Sequence, residues 1–225
     1  MSEHRGWAGA AGAGVAIAVI AACGGSSSNG VASETPAQVL AACTSAVKSA
    51  SSYEVSSTGS FGDGVTSLDF KVVGADLSGT FVMAGNTVTV IDVGGNIYLK
   101  GPASYYTNAG VGAVKAAVLA SVWVEAMAGS TVASDFAVLS AFTDVAGELS
   151  GAGTVTSAGT GTVDDQSVVI LKGADGTTLD VAASGPAYPV QVTESGSSAG
   201  VFNLSSWNSI SPFTPPPNPL TLPSA

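Results

Sequence analysis

The spacing of apolar residues predicts one amphipathic helix near the start of the folded part of the chain. Its apolar stripe repeats with the 3.6-residue period of a helix and consists of Val39, Leu40, Cys43 and Val47. Thr35 before Pro36 supplies the start signal, because Thr caps helices and Pro suits the first helical position. We therefore predict a helix from Pro36 to about Ala50, with its apolar side packed on a sheet.

From residue 52 the pattern changes to short extended runs that are separated by Gly, Asp and Asn. A first set of strands is predicted near 53–61, 66–74, 78–84, 86–93 and 96–100. Two of these runs place large apolar side chains on one face: Leu68, Phe70 and Val72 in one, and Phe81 and Met83 in the other. Because the connections are short, we expect antiparallel neighbours and one apolar sheet face.

The middle of the chain predicts two further helices, and the last third returns to strands. The helices are expected at about 111–122 and 132–147, with a short extended or irregular piece at 123–127 between them. A second set of strands is predicted near 153–163, 167–172, 177–183, 188–194 and 200–207. The Pro-rich tail at 212–225 is expected to be extended and peripheral.

This order of elements predicts an α+β fold. Both sets of strands can join in one long, strongly curved antiparallel sheet, and the helices would then cover its concave face. The chain after the leader is long enough for one domain with a real core. We place that domain at 35–211.

The first 22 residues have the three parts of an export signal. A polar head contains His4 and Arg5, an apolar run covers 7–22, and the run ends in Ile20-Ala21-Ala22-Cys23. That last stretch resembles a bacterial lipobox, in which the cysteine sulfur is diacylated and the preceding peptide is removed. By this resemblance Cys23 is the lipidated N-terminus of a protein on the extracytoplasmic face of the cell membrane, and 23–34 is a flexible tether.

Two alternatives remain open for this leader. It can be a simple secretory signal, or an anchor that is retained across the membrane. A membrane-spanning helix needs about 20 apolar residues, whereas the run at 7–22 is shorter and contains several Gly. These features favour the lipoprotein signal.

The charge of the chain argues against a nucleic-acid partner. From Cys23 onward there are five Lys, no Arg and fifteen Asp or Glu, so this part carries a formal net charge of −10. Such a chain is repelled by nucleic acid and by anionic lipid headgroups. The apolar fraction of 46% is too high for a disordered chain and predicts a large core or an apolar interior surface.

The residue types needed for most catalytic sites are missing after the leader. The single His is His4, so a Ser-His-Asp triad or a Cys-His pair cannot be assembled, and with one non-lipidated Cys and no His a zinc site is not expected. Asp164-Asp165 is interpreted as a turn rather than an acid/base or metal pair, and Ser45 with Lys48 lacks an accompanying hydrolase motif. We expect no enzymatic activity, no metal and no cofactor. Cys43 lies on the helix stripe and is interpreted as a small core residue rather than a disulfide partner.

Several segments together resemble a known family. Besides the lipobox and the first helix, these are the strand–turn–strand Val90–Gly101, the run Ala187–Val192 and the last strand Phe202–Trp207. In these segments the chain is similar to the actinobacterial LppX/LprG-type lipoproteins, relatives in fold of the periplasmic lipoprotein carrier LolA. The resemblance implies an open half-barrel sheet with helices on its concave side and an apolar cavity between them.

The resemblance also implies a function. Members of this family bind and shuttle lipids or acylated glycolipids through the cell envelope, so the expected partners are a lipid or acylated glycolipid and possible envelope transport proteins. From the family fold and the apolar faces, we predict the residues of the cavity wall to be Phe70, Val72, Phe81, Met83, Ile97, Leu99, Trp123, Met127, Phe136, Leu139 and Phe142. Only Lys48, Lys71, Lys100, Lys115 and Lys172 can meet an anionic headgroup, which leaves the ligand class open.

A second hypothesis comes from a different class of protein. The same fold with a closed core could serve as a lipid-anchored scaffold or sensor domain that binds an envelope protein. The volume of the space between sheet and helices distinguishes the two, because ligand pockets are typically about 300–1,000 Å³. A hydrolase that uses carboxylates is a third and weaker option.

Overall fold

The computed structural model describes residues 28–59, 64–128, 133, 136, 139–195 and 200–221. Their helical elements are a 3₁₀ turn Val31–Ser33, α1 Pro36–Ser49, α2 Ala103–Asn108, α3 Ala113–Ala120, α4 Ser140–Thr143 and α5 Val145–Gly151. Their strands are β1 Ser52–Gly59, β2 Val65–Val73, β3 Asp76–Met83, β4 Asn86–Val93, β5 Asn96–Lys100, β6 Val124–Ala126, β7 Val155–Val163, β8 Gln166–Gly173, β9 Thr178–Ala182, β10 Pro189–Glu194, β11 Gly200–Ser205 and β12 Leu220–Thr221.

These strands form one open sheet, as the sequence predicts. Its order is β12-β6-β5-β4-β3-β2-β1-β11-β10-β9-β8-β7. β1 joins the two predicted sets, because it pairs with β2 on one side and with β11 on the other, both antiparallel. β12 is parallel to β6, and the other neighbouring strands pair antiparallel. The curved antiparallel α+β architecture is therefore confirmed.

The first helix begins where its start signals place it. Thr35 and Gln38 form a capping box, in which the Thr35 N–H donates to Gln38 Oε1 at 3.0 Å and the Gln38 N–H donates to Thr35 Oγ1 at 3.4 Å. Val39, Cys43 and Val47 are buried in a cluster with side chains of β8 and β9. The helix stripe therefore packs on the sheet, and the interpretation of Cys43 as a core residue is confirmed.

Helices α4 and α5 lie on the same face of the sheet as α1. The Tyr53 hydroxyl of β1 donates to the Phe142 carbonyl of α4 at 2.5 Å, and the rings of Phe70 and Phe142 are 5.3 Å apart. Helix α5 packs against α1. Alternate residues of the central strands meet these helices and build the main core, which includes Val55, Phe70 and Val90.

In the middle of the chain one predicted helix is confirmed, one helix was not predicted, and one prediction needs correction. The helix expected at about 111–122 is α3, Ala113–Ala120, and the segment with Tyr105 and Tyr106 before it forms the additional helix α2. The single helix expected at 132–147 is interrupted at Asp144, whose φ of −122° and ψ of 47° are not helical. Its carboxylate accepts a hydrogen bond from the Gly147 N–H at 2.9 Å. Capping therefore begins a separate helix, α5, which continues to Gly151.

The described part of the Pro-rich tail, residues 212–221, ends at the edge of the sheet, with Leu220 and Thr221 exposed. There the chain becomes β12, and the Leu220 N–H donates to the Trp123 carbonyl at 2.7 Å. Residues 206–219 thus connect β11 in the middle of the sheet to β12 at its edge, with Pro216 buried on the way. The tail is part of the fold because its backbone completes an otherwise open strand edge.

Within the described ranges, none of the helices is both long and apolar enough to cross a membrane. The leader at 1–22 and the predicted lipidation site Cys23 lie outside the described residues.

Candidate functional site

A continuous apolar floor runs across four strands on the helix-covered face. The strand registers place Leu171 opposite Leu179, Leu179 opposite Val192, and Val192 opposite Phe202. Paired residues in a sheet point to the same face. These four side chains therefore form one row from β8 to β11.

Three helices cover this floor and leave a cavity of about 450 Å³. Leu40 comes from α1, Phe142 from α4, and Val145 and Leu149 from α5. Further wall residues are Val55, Ala152, Val155 and Leu204. The volume lies within the usual range of small-molecule sites, which are mostly apolar concavities of about 300–1,000 Å³.

The position of α4 over the cavity is maintained by Tyr53 and an aromatic contact. Burial raises the pKa of the Tyr53 hydroxyl to about 12, so it remains a protonated donor to the Phe142 carbonyl at neutral pH. The Phe142 ring is 6.5 Å from the ring of Phe202 on β11. The cavity roof is thus tied to both β1 and the floor.

The cavity wall changes from apolar to acidic at one end of the sheet. Two residues beyond Val192, on the same face of β10, the wall contains Glu194. Asp175 in the turn between β8 and β9 and Glu148 on α5 also line this end. We call this group of three carboxylates the acidic mouth.

Two of these carboxyl groups have shifted pKa values. Burial raises the pKa of Glu194, and the nearby charges of Asp175 and Glu148 raise it further. Hydrogen bonds from Thr177 lower the pKa of Asp175, because the Thr177 N–H and hydroxyl each donate to its carboxylate at 3.0 Å. Asp175 is therefore an anion at neutral pH, close to a carboxyl group that is partly removed from water.

A second, more open groove lies next to the cavity. It has a volume of about 660 Å³ between α1, α5 and the start of β7, and Lys48 is among its lining residues. Leu40, Leu149 and Val155 line both spaces and separate them. The cation of Lys48 is therefore on the far side of this apolar partition from the acidic mouth.

The structure places the eleven predicted wall residues in several environments. Phe142 alone among them lines the cavity of about 450 Å³. The buried core of the sheet's other half contains Phe70, Val72, Phe81, Ile97, Leu99 and Leu139, and Met83 and Phe136 pack against it. Trp123 receives the Lys100 ammonium 5.8 Å above its ring, and Met127 is 51% exposed. Ligand contact by these residues stays a prediction.

The cavity floor that the structure shows was missed in the predicted wall list, although a signal for it was present. Val192, Phe202 and Leu204 stand in alternating strands, and Leu40 is in the helix stripe. The missing information was which strands lie beneath α5. That depends on the position of α5 relative to β8–β11, which no local pattern specifies.

The polar groups considered as catalytic options lie in a hairpin turn and in the open groove. Asp164 and Asp165 have φ values of 46° and 62°, as in a tight hairpin turn between β7 and β8, which confirms their interpretation as a turn. Ser45 and Lys48 line the open groove. Among the described residues, no group of three or more His, Cys, Asp or Glu is arranged to hold a metal ion.

Comparison with solved structures identifies the class of fold as that of the actinobacterial LppX/LprG-type lipoproteins. The crystal structure of the Mycobacterium tuberculosis lipoprotein LppX matches with a TM-score of 0.52 and 18% identity, over 78% of this chain and 98% of that one. LprF from Mycobacterium bovis matches with a TM-score of 0.59 and 15% identity, over 82% of this chain and 97% of that one. The predicted resemblance in fold is confirmed. No family model and no curated protein matches the sequence.

Proposed function

We propose that this protein is a non-catalytic cell-envelope lipoprotein that binds the acyl chains of a lipid or acylated glycolipid. The observation that carries the proposal is the cavity of about 450 Å³ between the sheet and α1, α4 and α5, with its row of apolar side chains. Burial of an acyl chain there would contribute about 25 cal/mol per Å² of apolar surface. The fold shared with LppX and LprF supports the same function.

The cavity favours an amphiphile over a wholly apolar molecule. Its floor and roof are apolar, whereas its polar groups collect at the acidic mouth. An acyl chain would occupy the interior, and the head of the ligand would lie at Glu148, Asp175 and Glu194. The volume argues against the alternative of a closed scaffold or sensor domain, which needs a much smaller space.

The proposed membrane anchor would lie at the opposite end of the sheet from the mouth. Ser28 forms a β-bridge with Ser184, and the Asn29 amide donates to the carbonyls of Ala182 and Gly185 at 2.9 and 3.0 Å. Four residues separate Cys23 from Ser28, so the five residue steps between them reach at most about 18 Å. Lipidation of Cys23 would hold this end near the bilayer and point the mouth away from it, toward a partner or a second membrane.

Native mass spectrometry of the unacylated protein from a lipid-rich host tests lipid binding. We expect co-purified lipid with the wild type, and loss of that lipid with Val192→Trp, because the indole would fill the cavity above the floor. Val118→Trp is the matched control, since Val118 is 55% exposed on α3 and does not line the cavity. Absence of bound lipid in the wild type, or full retention by Val192→Trp, would contradict the proposal.

A further inference from the structure

The charges at the cavity mouth define what kind of head the ligand carries. We propose that the cavity selects amphiphiles with a cationic, amine-bearing head over those with a phosphate or sulfate head. This inference rests on the proposed function, because it assigns the polar end of the molecule whose acyl chain the cavity binds. The argument combines the apolar cavity, the convergence of three carboxylates on its opening, and the positions of all the lysines.

The three carboxylates come from three different elements and meet at one opening. Glu148 is on α5, Asp175 is in the β8–β9 turn, and Glu194 ends β10. Asp175 is fixed by its two hydrogen bonds from Thr177, whereas Glu194 is half-buried beside the apolar floor. Glu194 is partly buried, whereas Glu148 and Asp175 are exposed at the rim of the opening, so an opposite charge placed between the three would offset their mutual repulsion. An ammonium group at the end of a buried acyl chain would supply that charge.

No lysine lines this cavity, and all five lysines lie in the described part of the chain. Lys71 and Lys172 follow Phe70 and Leu171, so they point to the opposite face of the sheet. The remaining three are on other surfaces: Lys48 in the open groove, Lys100 over the Trp123 ring, and Lys115 on α3. A phosphate or sulfate at the mouth would therefore meet three carboxylates and no cation.

Three single-chain amphiphiles of equal length test the inference on the unacylated protein. Dodecylamine, 1-dodecanol and dodecyl phosphate would compete with the fluorescent apolar probe N-phenyl-1-naphthylamine, below their micelle concentrations and in the presence of EDTA. We expect dodecylamine to bind about tenfold or more tightly than dodecyl phosphate, with dodecanol between them, and the difference to shrink at high salt.

Variants separate the role of the mouth from that of the overall negative charge. Glu194→Gln should reduce the preference for dodecylamine over dodecyl phosphate, because it removes one charge from the opening. Glu34→Gln is the matched control; this exposed residue precedes α1, does not line the cavity, and its substitution should leave the preference unchanged.

The outcomes distinguish this inference from the function on which it rests. Failure of the probe and of all three amphiphiles to bind would contradict the proposed function itself. Binding with equal affinity for the three heads, tighter binding of dodecyl phosphate, or an equal loss of preference in Glu34→Gln would overturn the assignment of a cationic head while leaving acyl-chain binding intact.

Discussion

At the scale of single residues, Cys43 shows how burial decides chemistry. The thiol is fully buried on α1, and burial raises its pKa to about 12. Thiolate is the reactive form of cysteine, so this side chain is inert at neutral pH. The sequence already predicted a core role for Cys43, because it lies on the apolar stripe of α1. Apolar side chains that repeat with the helical period form one face of the helix, and that face is normally buried.

Substitution of Cys43 by Ser should destabilise the fold by about 1–3 kcal/mol, because a hydroxyl replaces a thiol among Val39, Val47 and the β8–β9 side chains. Urea unfolding would measure the change, and Cys43→Ala is the comparison that removes the sulfur without adding a hydroxyl group. In a chain in which Cys23 is replaced by Ala, a thiol reagent should label Cys43 only after unfolding. Rapid labelling of Cys43 in the native form of this chain would contradict the assigned burial.

Tyr53 predicts a loss of stability at alkaline pH. Its folded pKa of about 12 lies above the ordinary tyrosine value of 10.0, so its contribution is complete below pH 10 and is lost as the pH rises from about 10 to 12. Tyr53→Phe should cost about 0.5–1.5 kcal/mol at pH 7 through the lost hydrogen bond to Phe142. Denaturant unfolding at several pH values should show a shallower alkaline decline in this variant. An identical decline would contradict the assignment.

At the scale of elements, one of the helices over the cavity, α5, begins at a single capping residue. Asp144 interrupts the helical backbone and caps α5, which contributes Val145, Glu148 and Leu149 to the cavity wall. The apolar pattern of 132–147 predicted a helix but could not show this break. A periodic pattern is continuous across two helices that pack on the same sheet, so only the backbone geometry separates them.

Asp144→Ala should therefore destabilise α5 by about 0.5–2 kcal/mol, the usual range for loss of an N-cap. Because α5 forms part of the cavity wall, we also expect weaker binding of N-phenyl-1-naphthylamine. Asp144→Asn should largely retain both properties, since its side-chain oxygen can still accept from the Gly147 N–H. Equal behaviour of the Ala and Asn variants would show that the cap does not support the cavity.

At the scale of the whole molecule, the tail adds a strand, β12, to the free edge of β6. The pattern of apolar and polar residues did not predict this strand. Leu220 and Thr221 lie far along the sequence from β6, and their segment is short and Pro-rich. The Leu220 N–H and the Thr221 hydroxyl nevertheless donate to Trp123 and Glu125. An isolated two-residue strand has no periodicity, so its pairing was invisible in the sequence.

Leu220→Pro should open this edge, because proline has no N–H to donate to the Trp123 carbonyl. Leu220→Ala keeps the N–H and serves as the control. Hydrogen exchange of β6 should accelerate in the Pro variant and remain close to wild type in the Ala variant. Unchanged exchange in Leu220→Pro would mean that β12 does not protect the edge.

Features that depend on neighbouring residues could be predicted from the sequence, whereas features that depend on contacts between distant segments could not. Helix caps, the stripe of α1 and the alternating strands are local features, so the sequence by itself determined the α+β class. The strand order, the placement of α5 and the convergence of Glu148, Asp175 and Glu194 depend on contacts between distant segments. Only the tertiary structure decided these, because a cavity is formed by side chains that packing brings together and that no period along the chain connects.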